Sequence, residues 1–151
     1  MIDEYSMRSA QAADAPEVSA LVAAAYSHYV ERIGGPPGPM TLDYRRVIAD
    51  GRTTLAVAED EVVGLLVLSV DAAGLCISNI AVHPAHQGRG LGRRLLALAE
   101  EAAGRTGSES IYLYTHELMT ENLAWYTRLG YVEYARRDRE GATLVFLRKV
   151  L

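Results

Sequence analysis

Cysteine is nearly absent from this chain. Cys76 is the only one, which excludes an internal disulfide and leaves no sign of an oxidising compartment. No stretch approaches the ~20 apolar residues that a membrane-spanning helix needs. The start, Met1-Ile2-Asp3-Glu4, lacks the basic region and apolar run of a secretory signal. These absences predict a cytoplasmic protein without a membrane partner. An excess of positive charge is missing too. The formal net charge is -4, which argues against nucleic acid as a partner. Low-complexity segments, internal repeats and linker-like stretches are also lacking, while half of the residues are hydrophobic, so disorder is not expected. A chain of 151 residues is read as one domain, 1–151, which can bury roughly 68–70% of its unfolded surface.

What is present alternates between helical and strand periodicity. Glu4 to Arg8 is predicted as a short strand. Asp14-Ala15-Pro16-Glu17 reads as a capped helix start with Glu17 closing a capping box. Val18, Leu21, Val22, Ala25 and Tyr29 then form one amphipathic face. Gly34 to Pro39 must be loop. Thr41 is expected to cap a short helix through Ile48 that Asp50-Gly51 ends. Thr53 to Ala58 and Val62 to Val70 read as a hairpin, and Leu75 to Val82 as a third strand. A helix carrying Leu91, Leu95, Leu98 and Ala102 on one face runs to Gly104–Gly107. Ser110 to Thr115 is a further strand, and Thr120 is expected to cap a helix through Leu129 that Gly130 stops. Tyr131 to Arg136 and Ala142 to Arg148 close the chain as a pair. This pattern predicts an α/β (α+β) fold with a mixed sheet.

The chemistry concentrates in Ile77–Leu96. An apolar β-rich run ends at His83-Pro84, a glycine-dense turn follows, and a helix begins. Backbone N–H groups and the positive end of the helix dipole converge there into an anion site. Arg89, Arg93 and Arg94 crowd the helix start, and no acidic residue appears until Glu100. Cations in a first turn oppose the dipole, and a bound anion resolves that conflict. Two phosphate motifs fail on spacing. A dinucleotide G-x-G-x-x-G would need glycine where Arg93 stands, and a P-loop needs a Gly-Lys-Ser/Thr ending. His83 and His86 lack the accompanying carboxylates or cysteines of a metal site, so no metal is expected.

The remaining arrangement, Gln87-x-x-Gly90-x-Gly92 after a strand and Pro84, resembles the acetyl-CoA signature of the GNAT N-acetyltransferase superfamily. The likeness extends to Ile80-Ala81-Val82-x-Pro84 and to Asn122-Leu123-Ala124-Trp125-Tyr126-x-x-Leu129-Gly130-Tyr131, similar to the family's late helix. The resemblance implies a mixed, mainly antiparallel sheet flanked by helices, with a cofactor cleft between two central strands. It implies acetyl-CoA as donor, with the backbone of Ile80, Ala81 and Val82 holding the pantetheine arm. Gln87, Gly88, Arg89, Gly90, Leu91 and Gly92 would wrap the pyrophosphate, and Asn122 would add a cofactor contact. The outer phosphates would meet Arg89, Arg93 or Arg94.

The implied reaction is acetyl transfer from the thioester to an amine. An alkyl amine of pKa ~10.4 is free base only about once in 2,500 molecules at pH 7, so the need for a base depends on the acceptor. Tyr126 matches the family's helix tyrosine and is the implied acid for the leaving thiolate, since a phenol of pKa about 10 is protonated at neutral pH. His116, Glu117 and a water relay are the alternatives for the base. The place where some relatives carry a glutamate is held by Tyr114, and Met119 stands where many have asparagine. Tyr26, Tyr29, Glu31, Arg32 and Tyr44 form either a cradle for an organic cation or the seam of a helix pair. The expected acceptor is a small-molecule amine. A protein N-terminus or lysine is the alternative, and a non-catalytic acyl-CoA-binding domain is the reading from another class. Homodimers are common among relatives.

Overall fold

The apolar periodicities resolve into seven strands and five helices in the computed structural model, which describes residues 4–151. In chain order these are β1 (Ser6–Ser9), α1 (Ala15–Tyr26), α2 (Val30–Ile33), α3 (Tyr44–Ala49), β2 (Thr53–Ala58), β3 (Glu61–Asp71), β4 (Gly74–Val82), α4 (Leu91–Arg105), β5 (Ser110–His116), α5 (Thr120–Arg128), β6 (Val132–Arg139) and β7 (Ala142–Val150). Single 3₁₀ turns precede α1, α2, α3 and α4. The strands are ordered β1-β2-β3-β4-β5-β7-β6. β4 and β5 run parallel, while the pairs β1/β2, β2/β3, β5/β7 and β6/β7 are antiparallel. This is the mixed, mainly antiparallel sheet with flanking helices that the sequence predicts. No helix among the described residues is long and apolar enough to cross a membrane.

Contacts divide the chain into two compact units. One holds the described residues up to Leu68 together with Asn79–Ala99, the other Ser69–Ser78 with Glu100–Leu151. In the first unit, Val18, Leu21 and Val22 of α1, Leu55 of β2 and Leu65 of β3 are almost completely buried. The β2–β3 hairpin turns through Glu59 (φ 50°) and Asp60 (φ 65°), both left-handed. That is the geometry of a two-residue type I′ turn, whose twist suits the flanking strands. Gly64 on β3 is a packing requirement. A Cβ there would meet Ala56 Cβ at 3.0 Å and Leu91 Cδ2 at 3.1 Å, so its absence lets the first turn of α4 settle on the sheet.

Several local expectations shift. Asp14 lies in the 3₁₀ turn before α1 rather than capping a box with Glu17. Its carboxylate takes the Gln11 amide (2.7 Å) and Arg8 (2.8 Å), while Glu17 reaches the Val62 amide at 2.8 Å. Asp43, not Thr41, caps α3 by accepting from the Arg45 amide. Thr41 instead donates to the Gly38 carbonyl. Thr120 is the first residue of α5, preceded by Met119 at the cap position. In α4 the buried face is Leu91, Leu95, Leu96, Ala99 and Ala103. Leu98 and Ala102 are only half-buried.

The second unit builds its core from Ile111, Leu113, Val145, Leu147 and Tyr131, all 1% exposed or less. β6 and β7 are joined by Glu140 (φ 52°) and Gly141 (φ 84°), another pair of left-handed residues. β5 pairs with β4 through Leu75↔Ile111, Cys76↔Tyr112 and Ile77↔Leu113, and β4 continues from there to Val82 in the first unit.

Candidate active site

Nine of the sequence-predicted residues lie together in the first unit: Ile80, Ala81 and Val82 at the end of β4, and Gln87 to Gly92 in the loop entering α4. His83 and Pro84 turn the chain between them. The His83 amide donates to the Val63 carbonyl of β3 at 2.9 Å. Alternation along a strand then points Ala81 toward β3 as well, and turns the N–H and C=O groups of Ile80 and Val82 away from it. Both of those carbonyls are engaged by side chains. The Tyr26 hydroxyl lies 3.0 Å from the Ile80 carbonyl, and Gln87 Nε2 donates to the Val82 carbonyl at 3.2 Å. The strand end thus presents two amide donors whose companion acceptors are already occupied.

The Tyr26 contact belongs to a buried network that sequence reasoning missed. Asn79 is 5% exposed. Its Oδ1 accepts from Tyr26 at 2.8 Å, and its Nδ2 donates to the Tyr44 hydroxyl at 3.0 Å, which itself donates to the Pro39 carbonyl at 2.6 Å. Burial pushes the Tyr44 phenol up to about 12, with the Asn79 bond acting the other way. Tyr26, Tyr29 and Tyr44 are all buried, and Tyr26 and Tyr44 form a polar-stitched seam between α1, α3 and β4 rather than an open cradle. The available signal was a lone asparagine inside the apolar run Ile77–Val82.

At the glycine turn, Gly88 (φ 79°) and Gly90 (φ 82°) are left-handed, and a Cβ at either would meet nothing within 4 Å. Glycine is there for backbone conformation and for an open approach. The helix ladder starts with the Arg94 amide on the Gly90 carbonyl at 3.2 Å. Leu91, Gly92 and Arg93 therefore supply the amides that a first turn leaves without intrahelical acceptors. The first turn of α4 carries no acidic residue. Left-handed glycines, open amides and a first helical turn without acidic residues fit a pyrophosphate. Arg89 is paired with Glu4 at 2.6 Å, both side chains about half exposed. Such a solvent-exposed pair is weak and screened, so an incoming phosphate can replace Glu4.

The two histidines beside this turn are structural. His83 Nδ1 accepts from the Ala85 amide at 3.1 Å, and His86 Nδ1 lies 3.0 Å from the Tyr5 hydroxyl. No group of three metal-type ligands occurs among the described residues.

Asn122 and Tyr126 lie in the second unit, on α5. Tyr126 is 6% exposed, and its ring meets Tyr131 edge-on at 5.9 Å. Gly130 (φ 96°) closes the helix, and the Tyr131 amide donates to the Tyr126 carbonyl at 3.0 Å. Asn122 Nδ2 points at Met119 Sδ, 3.8 Å away. Of the two candidate bases, Glu117 is 3.5 Å from Arg136. His116 accepts the Leu118 amide on Nδ1 at 3.0 Å, and its Nε2 has no partner among the described residues. Cys76 is buried, and that burial pushes its thiol up.

The family model for the acetyltransferase (GNAT) domain matches residues 49–133. The sequence matches no curated protein. Among solved structures, the chain is similar to the PaiA N-acetyltransferase of Thermoplasma acidophilum in complex with coenzyme A, at 15% identity and a TM-score of 0.77, covering 97% of this chain and 99% of that one. It is similar to nourseothricin acetyltransferase at 21% identity and TM-score 0.73, covering 98% and 99%. It is also similar to the ribosomal-protein-S18-alanine N-acetyltransferase of Escherichia coli at 16% identity and TM-score 0.73, covering 97% and 93%.

Proposed function

The chain belongs to the GNAT acetyltransferase family, with acetyl-CoA as donor, and from that premise we propose that it acetylates the primary amine of a small molecule by direct attack in a ternary complex. The carrying observation is the left-handed Gly88–Gly90 turn at the open N-terminus of α4. In this reading Gln87, Gly88, Arg89, Gly90, Leu91 and Gly92 hold the pyrophosphate. Ile80 and Val82 offer their amides to the pantetheine arm and the thioester oxygen, where preorganised donors stabilise a developing oxyanion. Ala81 lies between these two donors on the strand, and Asn122 adds a contact from α5.

Direct attack is supported by Cys76, the only cysteine. Buried and held in its thiol form, it offers no thiolate for an acetyl-enzyme intermediate. Tyr126 protonates the departing CoA thiolate. His116 takes the proton of the amine, because its Nε2 is open while Glu117 is engaged by Arg136. Residues 1–151 act as one transferase domain. The lone buried cysteine fits a cytoplasmic location.

Thiol release from acetyl-CoA tests this with polyamines, amino sugars, amino acids, an N-terminal alanine peptide and a lysine peptide as acceptors. Small amines should exceed both peptides at least tenfold in kcat/KM, and the reverse order would move the acceptor to proteins. Tyr126→Phe should lower kcat by about 10²-fold or more, within the usual range for a general acid, with acetyl-CoA affinity retained. Unchanged turnover would refute the acid role.

A further inference from the structure

One face of the β5–β7–β6 sheet carries three arginines that no carboxylate among the described residues neutralises. Directly opposed residues share a face, and the register places Tyr114 against Phe146, Ala135 against Phe146, Arg137 against Leu144 and Arg139 against Ala142. Arg148 lies on the same side, two residues from Phe146. The irregularity between Glu133 and Ala135 brings Tyr134 onto this side, 6.2 Å from Phe146. Each guanidinium sits over a ring: Arg137 over Phe146 at 4.9 Å, Arg139 over Tyr114 at 5.7 Å and Arg148 over Tyr134 at 4.3 Å. Tyr114 and Phe146 are themselves 5.1 Å apart. Phe146 is covered, whereas Tyr114 and Tyr134 are 41% and 39% exposed.

The neighbouring charges are treated differently. Arg136, on the same strand, is paired with Glu133 at 2.9 Å and Glu117 at 3.5 Å. Asp138 accepts from Thr143, and Asp71 from Tyr112 and the Ala73 amide. Arg137, Arg139 and Arg148 have no ion pair among the described residues. A guanidinium over a ring face still offers an N–H edge, and that edge matches a planar carboxylate with two parallel bonds. Three such edges on one face, in a chain whose net charge is -4, are a local feature and not the overflow of a basic protein.

We propose that this aromatic–arginine face, which the register His116↔Leu144↔Arg137 shares with the proposed base, binds the carboxylate of the acceptor, so that the enzyme's substrates are small amines bearing a carboxylate. The proposal rests on the amine-transfer reading above. The two are separated by measuring binding apart from turnover. Phenylacetate, which has no amine, should bind the full chain at least tenfold more tightly than its neutral amide in a chemical-shift titration. Arg137→Gln with Arg139→Gln should abolish that difference, Arg139→Lys should restore only part of it, and Arg136→Gln should leave it intact. In the thiol-release assay, phenylalanine should show a KM about tenfold below that of phenethylamine, again lost in the double variant.

Phenylacetate binding without acetylation of any amine keeps the site and refutes the transfer reading. Amine acetylation indifferent to the carboxylate keeps the transfer reading and overturns the site. Displacement of phenylacetate by a single-stranded oligonucleotide, or self-association that the double variant abolishes, would assign the face to those partners and equally overturn it.

Discussion

Replacing Gly90 with alanine separates what the glycine turn does for the fold from what it does for the donor. Gly90 has φ 82°, and an added Cβ meets nothing within 4 Å. The methyl therefore costs only its left-handed strain, roughly 1–2 kcal/mol. In a chain of this length that lowers Tm by about 2–8 °C. Gly51 is the matched control: φ 83°, open space around its Cβ, and a place at the end of α3. Gly51→Ala should lose a similar amount of stability. The two diverge in acetyl-CoA affinity. A phosphate in the open space at the start of α4 competes with the Gly90→Ala methyl and loses about one charge-assisted bond, ~1.5–3 kcal/mol. That is roughly a 10–150-fold rise in Kd, against no change for Gly51→Ala. Calorimetric titration with acetyl-CoA and a thermal melt on each variant give the comparison. Equal donor affinity in both variants, with equal loss of Tm, would show that Gly90 serves the turn alone and that the pyrophosphate is held elsewhere.

Three further outcomes follow from the first unit. Asn79→Ala removes a buried amide that bridges Tyr26 and Tyr44 and should cost about 2–3 kcal/mol in urea unfolding; a loss below about 0.5 kcal/mol would show that the network carries no stability. Asp14 is held down from 3.8 to about 2, first by the Arg8 side chain and then by the Gln11 amide. Its contribution is full above about pH 4 and disappears as pH falls through 2. Since the Arg8 side chain is 45% exposed, screening reduces that contribution to about 1 kcal/mol. Asp14→Asn should flatten this part of the acid unfolding curve, and an unchanged curve would contradict the pairing. Replacing Glu59-Asp60 with Asn-Gly puts turn-adapted residues at two left-handed positions and should gain about 1–2 kcal/mol, read as a higher Tm. No gain would mean that the strain is absorbed elsewhere.

The aromatic–arginine face shows how site information divides between sequence and fold. The run Arg136-Arg137-Asp138-Arg139 reads in sequence as a mixed, solvated strand exit. Alternation along β6, together with the register to β7, sorts it. Arg136 goes to Glu133 and Glu117, while Arg137 and Arg139 go to the rings of Phe146 and Tyr114. Only the pairing of three strands could reveal that, because Tyr114 is distant in sequence from Arg139. The misplaced helix caps have the same origin. Thr41 and Asp43 are both capping types, and the choice depends on where the preceding 3₁₀ turn ends.

What the sequence determined by itself were features written into a few adjacent residues. The glycines at 34, 51, 88, 90 and 130 demand left-handed backbone, β-branched and apolar spacing sets strand and helix, and their order makes a strand, a glycine turn and a helix N-terminus without nearby acids. Those constraints act within one or two turns of chain, so no distant partner can alter them. The tertiary structure decided which side chains meet. Glu17 reaches Val62 across 45 residues, and Tyr26 reaches Asn79 across 53. Both contacts depend on the packing of α1 within its unit, and the Tyr26 hydroxyl so placed also engages the Ile80 carbonyl of β4.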